Sequence, residues 1–448
     1  MPGPKDVLCI NPWIYDFTAY DFWLKPLGLL YITALLQEYT DLRVSYIDCL
    51  DRQHPQLEMR LPTRNDGRGP FFKEEVQKPH ILKDIPRKYS RYGIPVSVFL
   101  QELDKVFPPD LVLLTCMMTY WYPGVQAVVE LIRKKFGSIP VILGGVYPTL
   151  MPIHAECESG ADMIYEGPGE RRLFSVVNEV LGDGTCPEER FASLDEMPRP
   201  AFGLLRDKSS LPVLTSRGCP HRCSFCASSL LFEGIEQRAP SSVVQEIENH
   251  VSDHSVKHIA FYDDALLMNK KNHIVPLLKK WIEKKIPLSF HTPNGLFVRE
   301  IDVELALLFK RSGFESIFLS QESFDEELIE SSCPKLSSTD LKKALDCLER
   351  AGYRREDINV YLMVGLPDQD TYSVMEGIVL VQKLGARPRL AQFSPIPGTG
   401  DWTRIVSKGF LNENSDPLLH NKTVFPYILG RISLGEFESL KELLIRKA

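Results

Sequence analysis

Three cysteines, Cys219, Cys223 and Cys226, form the only tight group of thiols in the sequence and follow one another as C-x3-C-x2-C. Three thiolates on one short loop can bind three irons of a [4Fe–4S] cube. The fourth iron is then left open, and an open coordination position distinguishes a catalytic metal site from a structural one. The segment TSRGCPHRCSFCA therefore predicts a cluster whose vacant corner binds a substrate or cofactor.

Two other uses of these cysteines stay open at this point. A structural zinc ion normally takes two pairs of ligands; His221 could add one ligand to the cysteines, but no second pair is evident. A thiol–disulfide pair at Cys223 and Cys226 fits the C-x2-C spacing but gives Cys219 no role. The spacing favours the cluster over both.

The elements around the cysteines form a regular series of apolar strands and amphipathic helices. Six such units predict a partial (β/α)6 barrel, whose active groups lie on the loops after the strands. The cysteine segment directly follows the first strand, where chemistry is expected. The predicted strands are 211–216, 258–262, 288–291, 316–320, 360–364 and 390–393, and the helices between them are 242–251, 274–283, 303–311, 339–351 and 372–384.

The first part of the chain alternates in the same way and predicts a Rossmann-like, doubly wound parallel sheet. Ligands of such sheets bind beyond the carboxyl ends of the strands. Residues 51–95, rich in Pro, Arg and Lys without clear periodicity, are expected to form a long surface insertion. The predicted strands are 7–11, 43–47, 111–115, 141–143 and 163–165, and the helices are 27–39, 124–135 and one that begins near residue 170.

These patterns divide the chain into a Rossmann-like domain at 1–182 with its insertion at 51–95, a linker at 183–209, a barrel at 210–400 and a C-terminal extension at 401–448. The net charge of −7 argues against a general nucleic-acid surface, which needs a basic excess. The N-terminal residues lack the charged and apolar regions of a signal peptide. The uncharged run 111–129 contains Thr, Pro and Gly, which indicate strand, loop and helix start rather than a membrane span. We therefore expect a cytoplasmic protein.

Cys219, Cys223 and Cys226, with the aromatic Phe225 before the last of them, stand as C-x3-C-x-aromatic-C at the end of the first barrel strand. This pattern resembles the radical S-adenosylmethionine (SAM) superfamily. The resemblance implies that the open iron binds the amino and carboxylate groups of SAM. It also implies that an electron from the cluster splits SAM into methionine and a 5′-deoxyadenosyl radical.

Later strand ends agree with this resemblance. It implies that Asp264, after the second strand, faces the SAM amino group, and that Glu322, after the fourth, contacts SAM through its carboxylate. Gly365 after the fifth strand and Pro397 after the sixth correspond to positions that line adenine in relatives. Arg299 could pair with a carboxylate of SAM or substrate, with an ordinary surface arginine as the alternative.

The N-terminal segments PLGLLYITALL and ILGGVYPTLMP, with GADMIYEGPGE, resemble the cobalamin (B12)-binding domain that precedes the barrel in one radical SAM group. Gly144 and Gly145 would let the backbone approach a ligand closely. The resemblance implies that Tyr147, Thr149 and Gly167 lie near the same edge. One motif is missing: we find no D-x-H-x-x-G segment, so a bound cobalamin should lack the axial histidine which that motif supplies.

The leading hypothesis is a radical SAM enzyme that performs cobalamin-dependent methylation, or rearrangement or cyclisation, of an unactivated carbon of a small metabolite. An electron donor such as flavodoxin or ferredoxin is expected, and nucleic-acid and membrane partners are not. A tRNA methylthiotransferase would need three N-terminal cysteines for a second cluster, which Cys9, Cys49 and Cys116 match poorly. A non-catalytic protein that binds a cluster or corrinoid is the third alternative.

Overall fold

The computed structural model describes residues 4–182, 184–188, 191, 193–332, 338–430 and 432–445. The chain forms two compact units, Met1–Leu211 and Pro212–Ala448. Residues 183–209, predicted to be a linker, fall in the first unit, although residues 183, 189, 190 and 192 lie outside the described part. The finer domain boundaries drawn from the sequence remain a prediction.

A five-stranded parallel sheet forms the centre of the first unit, with the spatial order β5-β4-β3-β1-β2. Because chain order reverses beside β1, this is a doubly wound sheet, as predicted. Its strands are β1 (Asp6–Asn11), β2 (Arg43–Asp48), β3 (Leu111–Cys116), β4 (Val141–Gly145) and β5 (Met163–Ile164). Its helices of seven residues or more are α1 (Leu27–Tyr39), α2 (Val96–Leu103), α3 (Tyr122–Phe136), α4 (Pro152–Glu158) and α5 (Leu173–Leu181).

The strands are apolar on both faces because helices cover both sides of a parallel sheet. On one face Val7 and Leu113 pack in a cluster with Leu35 from α1 and Val177 from α5. The α3 helix buries a stripe of valines and Ile132, and it packs against β3. This packing of helices on the sheet keeps the carboxyl ends of the strands, where ligands are expected, in fixed relative positions.

Residues 51–95 have more structure than their sequence indicates. Phe71, Leu82 and Tyr89 are buried, so the segment contributes to the core of the first unit. Its strands are only two or three residues long, too short to show a period-2 pattern. All the pairings are antiparallel. Within the insertion, Lys73–Glu75 pairs with Ser90–Tyr92. Two strands just after β1 also take part, Ile14–Asp16 with Ser90–Tyr92 and Tyr20–Asp21 with Gly69–Pro70.

The side chain of Arg52 links several parts of this insertion. Its buried guanidinium forms an ion pair with Asp21 at 3.0 Å, and both side chains are almost fully enclosed. A buried charge is tolerated when its donors are all used, and the planar guanidinium has a fixed fork of donors. The further acceptors are Pro62 O at 3.0 Å, Thr63 Oγ1 at 3.2 Å, Gly67 O at 3.2 Å and Pro70 O at 2.8 Å.

Asp48 ends β2 beside a polar cavity of about 150 Å³ that Tyr46, Asp51 and His54 also line. Burial raises the pKa of the Asp48 carboxyl from 3.8 to about 6, against hydrogen bonds from Asn11 and Leu50 that lower it. Both of these donors meet the same oxygen, at 2.7 and 2.9 Å. An amide oxygen could therefore replace the carboxylate without losing either bond.

We expect Asp48→Asn to stabilise the fold at neutral pH by about 1–2 kcal/mol. Between pH 3.8 and 6 the unfolded chain releases this proton while the folded chain keeps it, so the contribution of Asp48 to stability falls as pH rises through that window. The gain from the substitution should accordingly be present at pH 8 and absent at pH 3.5. Urea unfolding at the two pH values measures it, and an equal effect at both would contradict the assignment.

Parallel strands and outer helices build the second unit as a partial barrel. Its strands are β6 (Ser210–Val213), β7 (His258–Phe261), β8 (Ser289–His291), β9 (Phe314–Ser316), β10 (Phe318–Glu322), β11 (Asn359–Val364) and β12 (Arg387–Gln392). The orders β6-β7-β8-β9 and β10-β11-β12 join through Ile317, which alone separates β9 from β10, and the two-residue strand Leu296–Phe297 pairs parallel with β10. The fourth predicted strand is thus one segment interrupted at a single residue, and the six-unit barrel is confirmed.

The five helices predicted between the barrel strands lie close to their predicted positions, and the unit has further helices near residues 326, 400 and 434. Together they are α6 (Pro240–His254), α7 (Ile274–Lys284), α8 (Val303–Ser312), α9 (Glu326–Ser332), α10 (Ser338–Arg350), α11 (Thr371–Lys383), α12 (Gly400–Ser407) and α13 (Leu434–Ile445). Phe261, Phe290 and Phe314 from three consecutive strands contact one another with ring centroids 5.2–5.6 Å apart. In the described part of the chain we find no helix with the length and apolar character needed to cross a bilayer.

Candidate functional site

The cysteine loop, residues 218–235, follows the carboxyl end of β6. The short strand Ser216–Arg217 pairs antiparallel with Glu236–Gln237 and closes this loop at its base. Gly218 has a φ of +80°, and a Cβ there would lie 2.2 Å from the carbonyl oxygen of Gly234. Only glycine permits this crossing of the two chain segments. The loop therefore begins in a defined conformation just before its first cysteine.

None of the three cysteines of the loop is in a disulfide, and all three are at least partly accessible. Although part of Cys226 reaches solvent, the pKa of its thiol is raised to about 11, mainly by desolvation and also by the nearby charges of Cys223, Asp264 and Cys219, while the backbone N–H of Ser228 lowers it. The three sulfurs thus lie close enough to repel one another as thiolates. Bound cations relieve such repulsion, because a coordinating thiol is deprotonated by its metal.

His221, which could add a ligand to the cysteines, has another contact. A structural zinc ion takes four ligands around one centre, with Zn–S bonds of about 2.3 Å. In a cube each thiolate binds a different iron. The ring of His221 instead stacks on Phe297, with centroids 4.7 Å apart.

Asp264 joins the two ends of the cysteine segment. Its carboxylate accepts hydrogen bonds from the Ser228 hydroxyl, at 2.7 Å, and from the backbone N–H of Gly218. The N–H of Ser228 also donates to the Cys226 sulfur at 3.5 Å. The sequence predicted Asp264 as a SAM contact; that role remains a prediction, and the structure adds a role in bracing the loop.

A buried polar network lies beneath the start of the loop. Asp263 accepts hydrogen bonds from the hydroxyls of Thr215 and Ser216 at 2.5 and 2.6 Å, and Thr215 also contacts His273 at 2.8 Å. Burial raises the pKa of Asp263 to about 6, against these hydrogen bonds, which lower it. These hydrogen bonds hold the backbone in place between the end of β6 and the start of the cysteine loop.

Glu322 stands at the end of β10 in a conformation that few non-glycine residues adopt. Its φ is +62°, and the pairing of β10 with β11 shifts register between Ser320 and Glu322. A bulge of this kind turns a side chain away from the regular alternation, and strained residues of this type cluster at functional sites. The geometry supports the predicted SAM contact of Glu322, which stays a prediction.

Phe225, Gly365 and Pro397 occupy the remaining part of this rim. Phe225 packs against an apolar cluster that contains Leu366 from the end of β11 and Phe393 from the end of β12. The N–H of Gly365 donates to the Gln369 side chain at 2.9 Å, and Pro397 lies in the turn after β12. The cysteine loop and the last two strand ends therefore meet through Phe225. Arg299, by contrast, forms an ion pair with Asp340 at 3.0 Å, which fits the alternative of an ordinary surface arginine.

In the first unit, four of the five predicted cobalamin residues meet at the carboxyl end of β4. Thr149 donates to Gly145 O at 2.7 Å and accepts the N–H of Gly167 at 2.9 Å, so one hydroxyl links the two turns. Gly145 has a φ of +101°, and a Cβ there would lie 2.8 Å from Cys116 O. A Cβ on Gly144 would meet no atom within 4 Å, which leaves open space beside the backbone for a ligand.

Tyr147 differs from the other four. It is completely buried, and its hydroxyl lies 2.7 Å from Nδ1 of His154 on α4. His154 lies seven residues from Tyr147 and was not predicted from the sequence. His54, the histidine nearest to a D-x-H pattern, is buried against Glu102 at 3.2 Å and Arg206 at 3.4 Å. Desolvation lowers its pKa.

Comparison with protein-family models assigns each unit. Residues 213–376 match the radical SAM superfamily, and residues 95–177 match the B12 binding domain. The chain contains a radical SAM domain and a B12-binding domain. The first of these implies a [4Fe–4S] cluster and SAM as cofactors, and the second implies cobalamin. The three thiols and the open space at Gly144 fit these groups.

Individual relatives are distant. An uncharacterized methyltransferase of Pyrococcus horikoshii is 26% identical over 76% of this chain and 78% of its own length. An anaerobic magnesium-protoporphyrin IX monomethyl ester cyclase of Cereibacter sphaeroides is 24% identical over 62% of this chain, which spans only half (50%) of that relative. The radical SAM methyltransferase TsrM of Kitasatospora setae superposes with a TM-score of 0.66 at 15% identity, over 94% of this chain and 83% of that one. That likeness shows the fold.

Proposed function

We propose that this protein is a radical SAM methyltransferase that uses cobalamin to methylate an unactivated carbon of a small molecule. The observation that carries the proposal is the cysteine loop, which presents three thiols at the carboxyl end of a barrel strand in a chain that also has a B12-binding domain. When bound, the cluster supplies an electron that splits SAM into methionine and a 5′-deoxyadenosyl radical, and methylcobalamin supplies the methyl group that replaces the abstracted hydrogen.

The residues of this chain bind and orient these groups. Cys219, Cys223 and Cys226 would hold the cluster through three of its irons, which would leave the fourth iron for SAM. The bulge at Glu322 supports a role in accepting hydrogen bonds from SAM, and Gly365 and Pro397 would border the adenine. Their common task is positioning, because a radical must form beside the carbon–hydrogen bond that it attacks.

Gly144, Gly145, Thr149 and Gly167 form the proposed cobalamin cradle in the first unit. The space beside Gly144 admits a ligand against the backbone, and the Thr149 hydroxyl fixes the two turns that border it. The sequence contains no D-x-H-x-x-G segment, so a histidine from that motif would not be among the residues that hold cobalamin.

A reducing partner is part of the proposal. Each cleavage of SAM consumes one electron, so we propose a small electron-transfer protein such as flavodoxin or ferredoxin as donor. We also propose a cytoplasmic site of action, because the cysteines among the described residues form no disulfide, as is usual in reducing compartments.

Anaerobic reconstitution with Fe²⁺ and sulfide, followed by incubation with dithionite, methylcobalamin and methyl-labelled SAM, tests the proposal. We expect about four irons per chain, 5′-deoxyadenosine as a product, and labelled methyl groups on the accepted substrate. Cyclisation is the second candidate, favoured by the cyclase relative. It would give 5′-deoxyadenosine and a substrate product without the label.

Two results would contradict the proposal. About eight irons per chain would indicate a second cluster and favour the tRNA methylthiotransferase alternative. A reduced, fully loaded cluster that never forms 5′-deoxyadenosine would favour a non-catalytic protein.

A further inference from the structure

Asp401 contacts the middle of the cysteine loop, far from it in sequence. The Ser224 hydroxyl donates to Asp401 Oδ2 at 3.0 Å, and the backbone N–H of Asp401 donates to Ser224 O at 2.8 Å. Ser224 lies between Cys223 and Phe225, so both hydrogen bonds act on the chain that connects the second and third cysteines. This part of the loop is thus held by one residue at two points.

The carboxylate of Asp401 is completely buried. Arg404, one turn further along α12, donates to Asp401 Oδ1 at 3.0 Å, and it also pairs with Asp368. A buried carboxylate is costly unless it is paired and hydrogen-bonded. Ser224 and Arg404 together satisfy both oxygens, so the side chain has one stable orientation, with Oδ2 directed at the loop.

The start of α12 is shaped for this contact. Thr399 caps the helix by accepting the N–H of Trp402 at 3.2 Å, which fixes the backbone just before Asp401. A Cβ on Gly400 would lie 3.3 Å from the Ser224 Cβ, so a side chain at this position would press on the loop. A capped helix therefore meets the loop at close range.

We propose that Asp401 is a positioning residue for the [4Fe–4S] cluster, which acts through Ser224 to preform the segment between Cys223 and Cys226. Asp264 braces the two ends of the cysteine segment, and Asp401 braces its middle. The inference rests on the cluster of the proposed function. Outer-shell partners that orient metal ligands typically cost about 10–100-fold in metal affinity when they are removed.

The test compares Asp401→Ala, Asp401→Asn and Ser224→Ala with Asp368→Asn. The last variant is a matched control, because it removes the other carboxylate of Arg404 without touching the loop. Each protein is reconstituted with Fe²⁺ and sulfide, and the rate of iron loss to a chelator is measured before any turnover. The paramagnetic resonance spectrum of the reduced cluster without SAM is recorded as well.

We expect iron loss to accelerate about 10-fold in Asp401→Ala and in Ser224→Ala. A double variant that carries both substitutions should lose iron no faster, because each substitution removes the same hydrogen bond. Asp401→Asn keeps one acceptor oxygen, for Arg404, and an amide group that can donate to the Ser224 hydroxyl, so it should lose iron more slowly than Asp401→Ala. The resonance spectrum should broaden in the two alanine variants and match the wild type in Asp368→Asn.

Equal iron loss and equal spectra in Asp401→Ala and wild type would overturn the inference, as would an Asp368→Asn variant that loses iron as fast. If Asp401→Ala shows no cooperative unfolding transition, Ser224→Ala and Asp401→Asn decide the question, since each keeps the buried site filled. A wild-type protein that takes up no cluster would instead contradict the proposed function itself.

Discussion

A Cys223→Ala variant is expected to lose the [4Fe–4S] cluster and all cleavage of SAM. Removing a ligand should exceed the effect of about 10–100-fold that follows the loss of an outer-shell partner. The remaining thiols, Cys219 and Cys226, can bind at most two irons of the cube. Iron content, absorbance of the cluster and formation of 5′-deoxyadenosine from SAM after anaerobic reconstitution measure the result.

Cys347→Ala is the matched control, because Cys347 is a free, partly buried thiol in the same unit and lies on α10 away from the loop. It should keep the iron content and SAM cleavage of the wild type. If Cys223→Ala retained about four irons per chain, or if the wild type carried zinc in place of iron, the cluster assignment would be wrong.

The cysteine loop could be predicted from the sequence because the information is local. Cys219, Cys223 and Cys226 lie within eight residues, and the strand before them and the helix after them show clear periodicity. The same holds for α1, whose predicted and observed bounds agree at Leu27–Tyr39. Where one short segment contains both the chemical groups and their spacing, the sequence is sufficient.

Contacts between distant segments could not be predicted in this way. Asp401 meets Ser224 across 177 residues, and nothing near either residue marks the pairing. The Arg52 guanidinium likewise contacts Asp21 and Pro62, which are distant from it in the sequence and close to it only in the fold. Which polar groups meet is decided by the packing of whole elements, and a single sequence does not display that packing.

Glu322 shows an intermediate case. Its position at the end of the fourth strand could be predicted from the sequence, but the bulge and the positive φ that direct its side chain could not. A bulge depends on how β10 pairs with β11, so it follows from the neighbouring strand. Sequence placed the residue on the correct rim, and the structure supplied its geometry.

Gly144→Val should abolish or strongly weaken cobalamin binding while leaving the fold intact. A Cβ on Gly144 meets no protein atom within 4 Å, so open space lies beside the backbone at this position. Valine also suits the β-strand conformation of β4. If a ligand occupies this space, the two methyl groups displace it, and we expect a loss of affinity of about 10-fold or more, equal to at least about 1.4 kcal/mol. Titration with cobalamin, followed by absorbance, measures the dissociation constant.

Gly144 is more informative than its neighbour Gly145, where a side chain would clash with Cys116 O and strain a positive φ, so that lost binding would also follow from misfolding. Gly203→Val provides the control, because Gly203 is exposed in the same unit, has open space around its backbone and lies outside the sheet. It should bind cobalamin as the wild type does. Equal melting temperatures of the two variants without cobalamin would show that the space beside Gly144 serves a ligand rather than the fold, whereas unchanged affinity in Gly144→Val would place cobalamin away from β4.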